Sequence, residues 1–283
     1  MSSPPTGAAD ASASTDPIIE LRGINKSFGP VHVLRDVDLT IRRGEVTALV
    51  GDNGAGKSTL VKCLGGIYPT DSGTYLFEGS PVKVDSPRAA AALGVEIVYQ
   101  DLALCDNLDI VQNMFLGRER TRHMVLDDAA MEEMATETLA GLSVRTVTSV
   151  RQRVAGLSGG QRQTVAIAKA VLWNSKVVVL DEPTAALGVA QTAQVLDLVR
   201  RLADNGLAVL LISHNMNDVF AVADRIAVLY LGRMTAQVAT SDVTHSQVVE
   251  LITTGRGGTL RRDDHAGRPS LAKRSDPAEG TGP

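Results

Sequence analysis

The chain reads as an α/β domain built on a largely parallel sheet with a helical insertion. Three observations predict it. Short β-branched runs alternate with longer segments of helical period from Ile18 to Gly255. Three of the runs, VTALV at 46–50, VVVLD at 177–181 and AVLLI at 208–212, are almost uniformly apolar, as strands covered by helices on both faces must be. Between Asp101 and Val171 no comparable strand occurs, and that stretch carries helical signals instead.

Taken in order, residues 1–17 are Ser, Thr, Ala, Gly and Pro apart from Met1, Asp10 and Asp16, a composition expected of a flexible tail. IIELR at 18–22 is the first predicted strand and VTALV the second. GDNGAGKST at 51–59 follows directly and leads into the helix-like LVKCLGG. This is a phosphate-binding loop in its proper context, strand before and helix after. Gly51, Gly54 and Gly56 let the backbone turn tightly and aim N–H groups inward, towards an anion at the helix start. Lys57 supplies a mobile charge for β- and γ-phosphates, and the Ser58 hydroxyl is placed for magnesium.

TYLF at 74–77 and VEIVY at 95–99 are the next strands. Met131, Met134, Ala135, Thr138, Leu139 and Leu142 then recur at helical spacing behind Asp127 and Asp128, which suit a cap and a dipole partner. That stripe is expected to be the core face of the insertion. LSGGQ at 157–161 opens the helical run RQTVAIAKAVLW, with Ser158 as N-cap and Gly159 and Gly160 exposing N–H groups, although a capped turn by itself needs no function. VVVLD ends in Asp181 and Glu182 before Pro183. At such a strand end Asp181 suits magnesium through water, and Glu182 suits a general base. AVLLI and IAVLYL at 226–231 are the last strands. Beyond Arg256 only Leu260 and Leu271 are large and apolar, so 256–283 is expected to be disordered.

Composition excludes several functions. With 28 basic and 32 acidic residues the net charge is −4, so no electrostatic footprint argues for nucleic acid. Aromatics make up 3%, too few for a base- or sugar-stacking platform. Cys63 and Cys105 form no CxxC and have no neighbouring His, which indicates reduced thiols rather than zinc or a disulfide. No apolar run approaches the roughly 18 residues needed to span a bilayer, and no signal peptide is recognisable.

The phosphate-binding loop, LSGGQ and the LDEP strand, in that order, resemble the ATP-binding subunit of an ABC transporter, over essentially Ile18 to Gly255. The resemblance implies a P-loop NTPase (RecA-like) core with a mostly parallel sheet, an antiparallel β subdomain and an inserted helical subdomain at about 101–171. It implies that ATP and Mg2+ are bound. Gly51, Asn53, Gly54, Ala55, Gly56, Lys57, Ser58 and Thr59 would form the nucleotide loop, and Ser158, Gly159, Gly160 and Gln161 would complete the site of a second chain. Gln100 matches a magnesium and water ligand that senses the membrane partner, His214 a switch histidine at the γ-phosphate, and Phe28 the aromatic that stacks on adenine. Ser58, Gln100 and Asp181 are the implied metal ligands, and Glu182, His214 and Gln100 the implied catalytic set.

One departure stands out. Where the family has Ser-Ala-Leu-Asp at the subunit contact, this chain has Ala185-Ala186-Leu187-Gly188, and the carboxylate that communicates between two ATP sites is missing. A single set of motifs implies a dimer, expected to be a homodimer, docked on the cytoplasmic face of the cell membrane against an integral membrane permease, itself expected to be homodimeric. The segments CLGGIYPTDSGTYLFEG, SPRAAAALGVEIVYQDLAL and NMFLGRE resemble the monosaccharide importer group (ribose, xylose, fructose, galactose), in its single nucleotide-binding-domain branch. In that group the sugar is held by a separate extracytoplasmic protein. The alternatives are an importer for a non-sugar solute, or a soluble ABC-type ATPase of translation or repair. The tandem domains, coiled-coil inserts and basic arms usual in the latter are not seen here.

Overall fold

A computed structural model describes residues 16–142, 147 and 149–256. The expected tails therefore lie outside the described residues except at their inner edges. In chain order the elements are β1 (Pro17–Phe28), β2 (Val31–Arg42), β3 (Val46–Val50), α1 (Lys57–Leu64), β4 (Ser72–Phe77), β5 (Ser80–Val82), α2 (Pro87–Ala92), β6 (Val95–Val98), α3 (Ile110–Phe115), β7 (Thr121–Arg122), β8 (Val125–Leu126) and α4 (Asp128–Gly141). The order continues with α5 (Gly159–Val171), β9 (Val177–Asp181), α6 (Val189–Asp204), β10 (Ala208–Ile212), α7 (Met216–Val222), β11 (Arg225–Tyr230), β12 (Arg233–Ala239) and α8 (His245–Thr254).

The main sheet has the order β12-β11-β3-β10-β9-β6, parallel throughout except for the edge strand β12. The three near-uniform apolar runs are its central neighbours β3, β10 and β9, and their apolar residues are buried on both faces. Side chains alternate between two cores. Val46, Val50, Val178 and Leu211 face the helical layer of α3 to α8, whereas Leu49, Val179 and Leu210 face α1 and a second sheet. That second sheet is antiparallel, with the order β2-β1-β4-β5. The two sheets are joined where the Thr40 N–H donates to Gln237 Oε1 at 3.0 Å and Gln237 Nε2 donates back to Thr40 O.

Seven strands follow the predicted runs; β2, β5, β7, β8 and β12 have no counterpart among those runs. β1 also begins at Pro17, inside the segment expected as tail, and runs on to Phe28. In the 101–171 stretch the described residues hold α3, α4, α5 and only a two-residue hairpin, β7–β8. α4 starts as its sequence suggests: Asp127 accepts from the Ala130 N–H at 3.2 Å, and Met131, Ala135, Leu139 and Leu142 are buried in the core. α5 opens on a capping box, with Ser158 Oγ accepting from the Gln161 N–H and Gln161 Oε1 accepting from the Ser158 N–H.

Parallel register decides where chemistry collects. Ile212 pairs with Leu49 on one side and Asp181 on the other, and Leu180 pairs with Val98. The segments after β3, β9, β10 and β6 therefore leave from one edge of the sheet, the edge at which ligands bind such folds.

Candidate functional site

The loop after β3 is shaped by close approach as much as by flexibility. A Cβ on Gly51 would stand 2.3 Å from the Leu229 carbonyl oxygen of β11, so no other residue fits beneath that strand. Gly56 takes a φ of 107° to turn the chain into α1, a conformation that strains any L side chain. Behind the loop, Ala55 is buried; its N–H donates to Asp52 O at 3.1 Å and its carbonyl accepts from the Gly232 N–H at 2.9 Å. Lys57 folds back over the loop, with Nζ donating to Gly51 O at 2.7 Å and Asp52 O at 3.0 Å.

Asn53, Gly54, Gly56, Lys57, Ser58 and Thr59 line a cleft of about 430 Å³ together with Gln100, Asp181 and Glu182. Residues from three separated segments thus meet in one cavity. A neighbouring cleft of about 470 Å³ shares Asn53 and Glu182 and adds Gly51, Ser213 and His214. Between the two, His214 Nδ1 lies 3.0 Å from Glu182 Oε1. Glu182 is fixed from behind: its N–H donates to Ile212 O at 2.9 Å, and its backbone is left-handed at φ 50°.

The electrostatics of the site oppose full ionisation of Lys57 and Asp181. Burial lowers the Lys57 pKa, against the raising influence of Glu182, Asp52 and Asp181. Burial raises Asp181 above the ordinary aspartate value, and Glu182 adds to the rise while Lys57 and Lys62 oppose it. Asp181 and the exposed Ser58 hydroxyl are hard oxygen donors at the mouth of one cleft, a set that fits a magnesium which keeps most of its ligands as waters and phosphates.

The remaining expected site residues lie elsewhere. Phe28 sits at the tip of β1, 41% exposed, edge-on to Tyr68 with ring centroids 5.0 Å apart. Asp71 anchors that tip by accepting from Lys26 Nζ at 2.7 Å and from the Ser27 N–H at 2.6 Å. Ser158, Gly159, Gly160 and Gln161 begin α5 and line neither cleft. No sequence signal marks Val33, which lines the Lys57 cleft from β2, nor Met216, Val249 and Ile252, which give the His214 cleft an apolar wall. A groove of about 330 Å³ lies on the far side of Gln100, lined by Tyr99, Asp101, Leu102, Lys169 and Trp173 among others. Arg118 crosses its rim, donating to Glu96 at 2.7 Å and stacking over Trp173. One short segment, 99–102, therefore has Gln100 in the Lys57 cleft and its neighbours in the groove. No described helix is long and apolar enough to cross a membrane.

Residues 34–185 match the family model described as ABC transporter. The chain is 44% identical to the xylose/arabinose import ATP-binding protein XylG of Sulfolobus acidocaldarius, over 83% of this chain and 94% of that protein. It is equally identical, at 44%, to the fructose import ATP-binding protein FrcA of Rhizobium meliloti, over 84% and 94%. The ribose import ATP-binding protein RbsA of Chromobacterium violaceum is 40% identical over 83% of this chain but only 46% of its own length. Among solved structures, a nucleotide-free ATP-binding cassette from an ABC transporter superposes with a TM-score of 0.72 at 25% identity, covering 79% of this chain and 92% of the other. The cbiO1 protein of Clostridium perfringens, part of the ABC transporter complex cbiONQ, gives 0.71 at 27% identity, covering 85% of this chain and 96% of the other.

Proposed function

This chain belongs to the ABC transporter family, and from that membership we propose that it is the ATP-hydrolysing subunit of a monosaccharide importer, acting on a separate membrane permease from the cytoplasmic face. It is an ATPase coupled to transport. The observation that carries the fuller reading is the meeting of Lys57, Ser58, Gln100, Asp181 and Glu182 in one cleft, with His214 against Glu182.

Lys57 exchanges its two backbone carbonyls for β- and γ-phosphate oxygens, which return to it the charge-stabilising partners that burial removes. Ser58, Asp181 and Gln100 would hold the magnesium, which when bound neutralises phosphate charge. Glu182 takes the proton of the attacking water, and His214, within hydrogen-bond reach of Glu182, aligns that water and the γ-phosphate. Phe28, exposed at the tip of β1, offers a face for adenine. Ser158, Gly159, Gly160 and Gln161 lie outside this chain's own clefts, which supports a role in the site of a second copy.

The segment 99–102 supports coupling to the permease, because a protein seated in the groove beside Trp173 presses on residues next to Gln100. The sugar assignment rests on the relatives named for xylose/arabinose, fructose and ribose import. Glu182→Gln tests the reading. The variant is expected to bind ATP, accumulate as a closed dimer and lose turnover by about a hundredfold or more. Hydrolysis near the parental rate would overturn it. Purification of the chain with a permease that shows sugar-stimulated ATPase activity tests the transport assignment.

A further inference from the structure

Between α3 and α4 the chain is open to solvent throughout, every residue from Leu116 to Leu126 being exposed. Thr121 pairs with Leu126 and Arg122 with Val125, so β7 and β8 form a hairpin whose two-residue turn is His123–Met124. Both turn residues are left-handed, at φ 50° and 67°, a conformation that Asn and Gly normally supply in so tight a hairpin. Met124 is 98% exposed, Val125 68% and Leu126 54%, the only three consecutive large apolar residues left open among the described residues. A surface that meets only water scatters such side chains singly. Met124 therefore occupies a strained position from which it gains no packing within its own chain.

Charge around the turn has one sign. Residues 120–126 carry Arg120, Arg122 and His123 and no acid. Among the described residues Arg122 has no side-chain hydrogen bond or ion pair, and the Arg120 guanidinium reaches only Met134 Sδ, at 2.9 Å. The nearest carboxylates are engaged at the root of the hairpin: Glu119 accepts from the Gly117 N–H at 2.9 Å and Asp127 from the Ala130 N–H at 3.2 Å. Cross-strand pairing puts Val125 on the same face as Arg122, so cation and apolar group lie side by side behind the Met124 apex. The hairpin is also continuous with the groove beside Trp173, since Leu116 and Arg118, which lead into it, line that groove.

We propose that this hairpin is a membrane-surface contact, with Met124 and Val125 entering the headgroup region of an anionic bilayer and Arg120 and Arg122 on lipid phosphates. The proposal rests on the reading above, in which a permease seated in the groove holds the chain against the membrane. An apolar apex flanked by unpaired cations has the chemistry of interfacial segments, which combine a small buried apolar area with attraction to anionic lipid. A protruding tip fits a soft, deformable phase, whereas the concave groove beside it fits a protein.

Flotation of the full-length chain with vesicles of phosphatidylglycerol, and with vesicles of phosphatidylcholine, tests it. The bound fraction should be at least about fivefold higher on the anionic vesicles and should fall as salt is added. Met124→Ser combined with Val125→Ser is expected to lower binding to the anionic vesicles about tenfold. Arg120→Gln combined with Arg122→Gln is expected to lower it by about tenfold or more and to abolish the preference between the two lipids. Both double variants should keep the parental thermal midpoint and ATPase rate, which separates loss of lipid contact from loss of structure. Absence of binding by the parent, equal binding to the two lipids, or parental binding by both double variants overturns the proposal. Variants that float like the parent but no longer purify with the permease would make the tip a protein contact, and overturn it as well. The vesicles contain no permease, so failure here leaves the transport reading intact, and the ATPase reading is decided separately by Glu182→Gln.

Discussion

Asp181 illustrates how a single side chain trades stability for ligand binding. Its ionised form is disfavoured in the folded chain, first by burial and then by Glu182. The folded pKa is raised, so the group's contribution to stability is full below the ordinary aspartate value and is lost as pH rises through the raised one. Asp181→Asn removes that loss. The nucleotide-free variant should melt about 1–3 °C higher than the parent near neutral pH, with the gap closing towards about pH 3–4, and magnesium–ATP should no longer raise its midpoint. Thermal scans across pH, with and without nucleotide, check all three. Cys63 gives a second residue-scale expectation: burial pushes its thiol up to about 11. A maleimide at about pH 7.5 should label only the partly exposed Cys105 in the native chain and both thiols after unfolding, read by mass spectrometry. The residues around the triphosphate were legible because loop spacing and strand-end carboxylates carry their own chemistry. His214 needed the family resemblance, since one histidine after a strand says little by itself. Val33 gave no signal, because it enters the cleft as an ordinary strand valine.

Among the elements, the strands that sequence alone reveals are those buried on both faces. β9 and β10 show no polar residue before their last position and β3 only the buried Thr47, and their limits match the predicted runs residue for residue. β2 (VHVLRDVDLTIR) and β12 (RMTAQVA) are edge strands that mix charge and apolar residues, and their pairing is fixed by distant partners such as Gln237 and Thr40. α6 shows the cost of the departure at position 188. Its N-cap is Gly188, without a side-chain cap, in extended conformation at φ −73°. Gly188→Asp has open space and allowed backbone there, and should stabilise the chain by a few tenths of a kcal/mol, measured by urea denaturation. The helical insertion is tied to the rest by the edge-to-face pair Phe115–Trp173, with centroids 5.5 Å apart. Phe115 is fully buried, so Phe115→Ala should cost about 3–5 kcal/mol in the same assay.

At the scale of the whole molecule, the proposed function makes one chain an incomplete machine, because the α5 start lines neither of its own clefts. Mixing tests this directly. A Lys57→Ala chain and a Ser158→Arg chain, each inactive alone, should regain up to about a quarter of parental ATPase activity when refolded or co-expressed together, because half the pairs are mixed and each mixed pair holds one intact site. Titration of one variant into the other should give a maximum at equal amounts. Absence of any recovery would argue that each chain hydrolyses ATP without a partner. The fold class was legible because the rhythm of strands and helices is a property of many residues at once. The division into two sheets was implied only by the resemblance, since composition and period say nothing about which strands share a sheet.

The Lys57 ammonium, bound to the Gly51 and Asp52 carbonyls, is in effect a resident guest in its own receptor. The loop around it is held in a tight turn by Gly51, pressed beneath β11, and by Gly56 at a φ of 107°. Nucleotide arrival is thus an exchange of partners at one cation, with little chain left to organise. On the proposed function, selectivity for a polyphosphate would come from out-competing two peptide oxygens, a contest that a neutral sugar or a monovalent anion enters at a disadvantage.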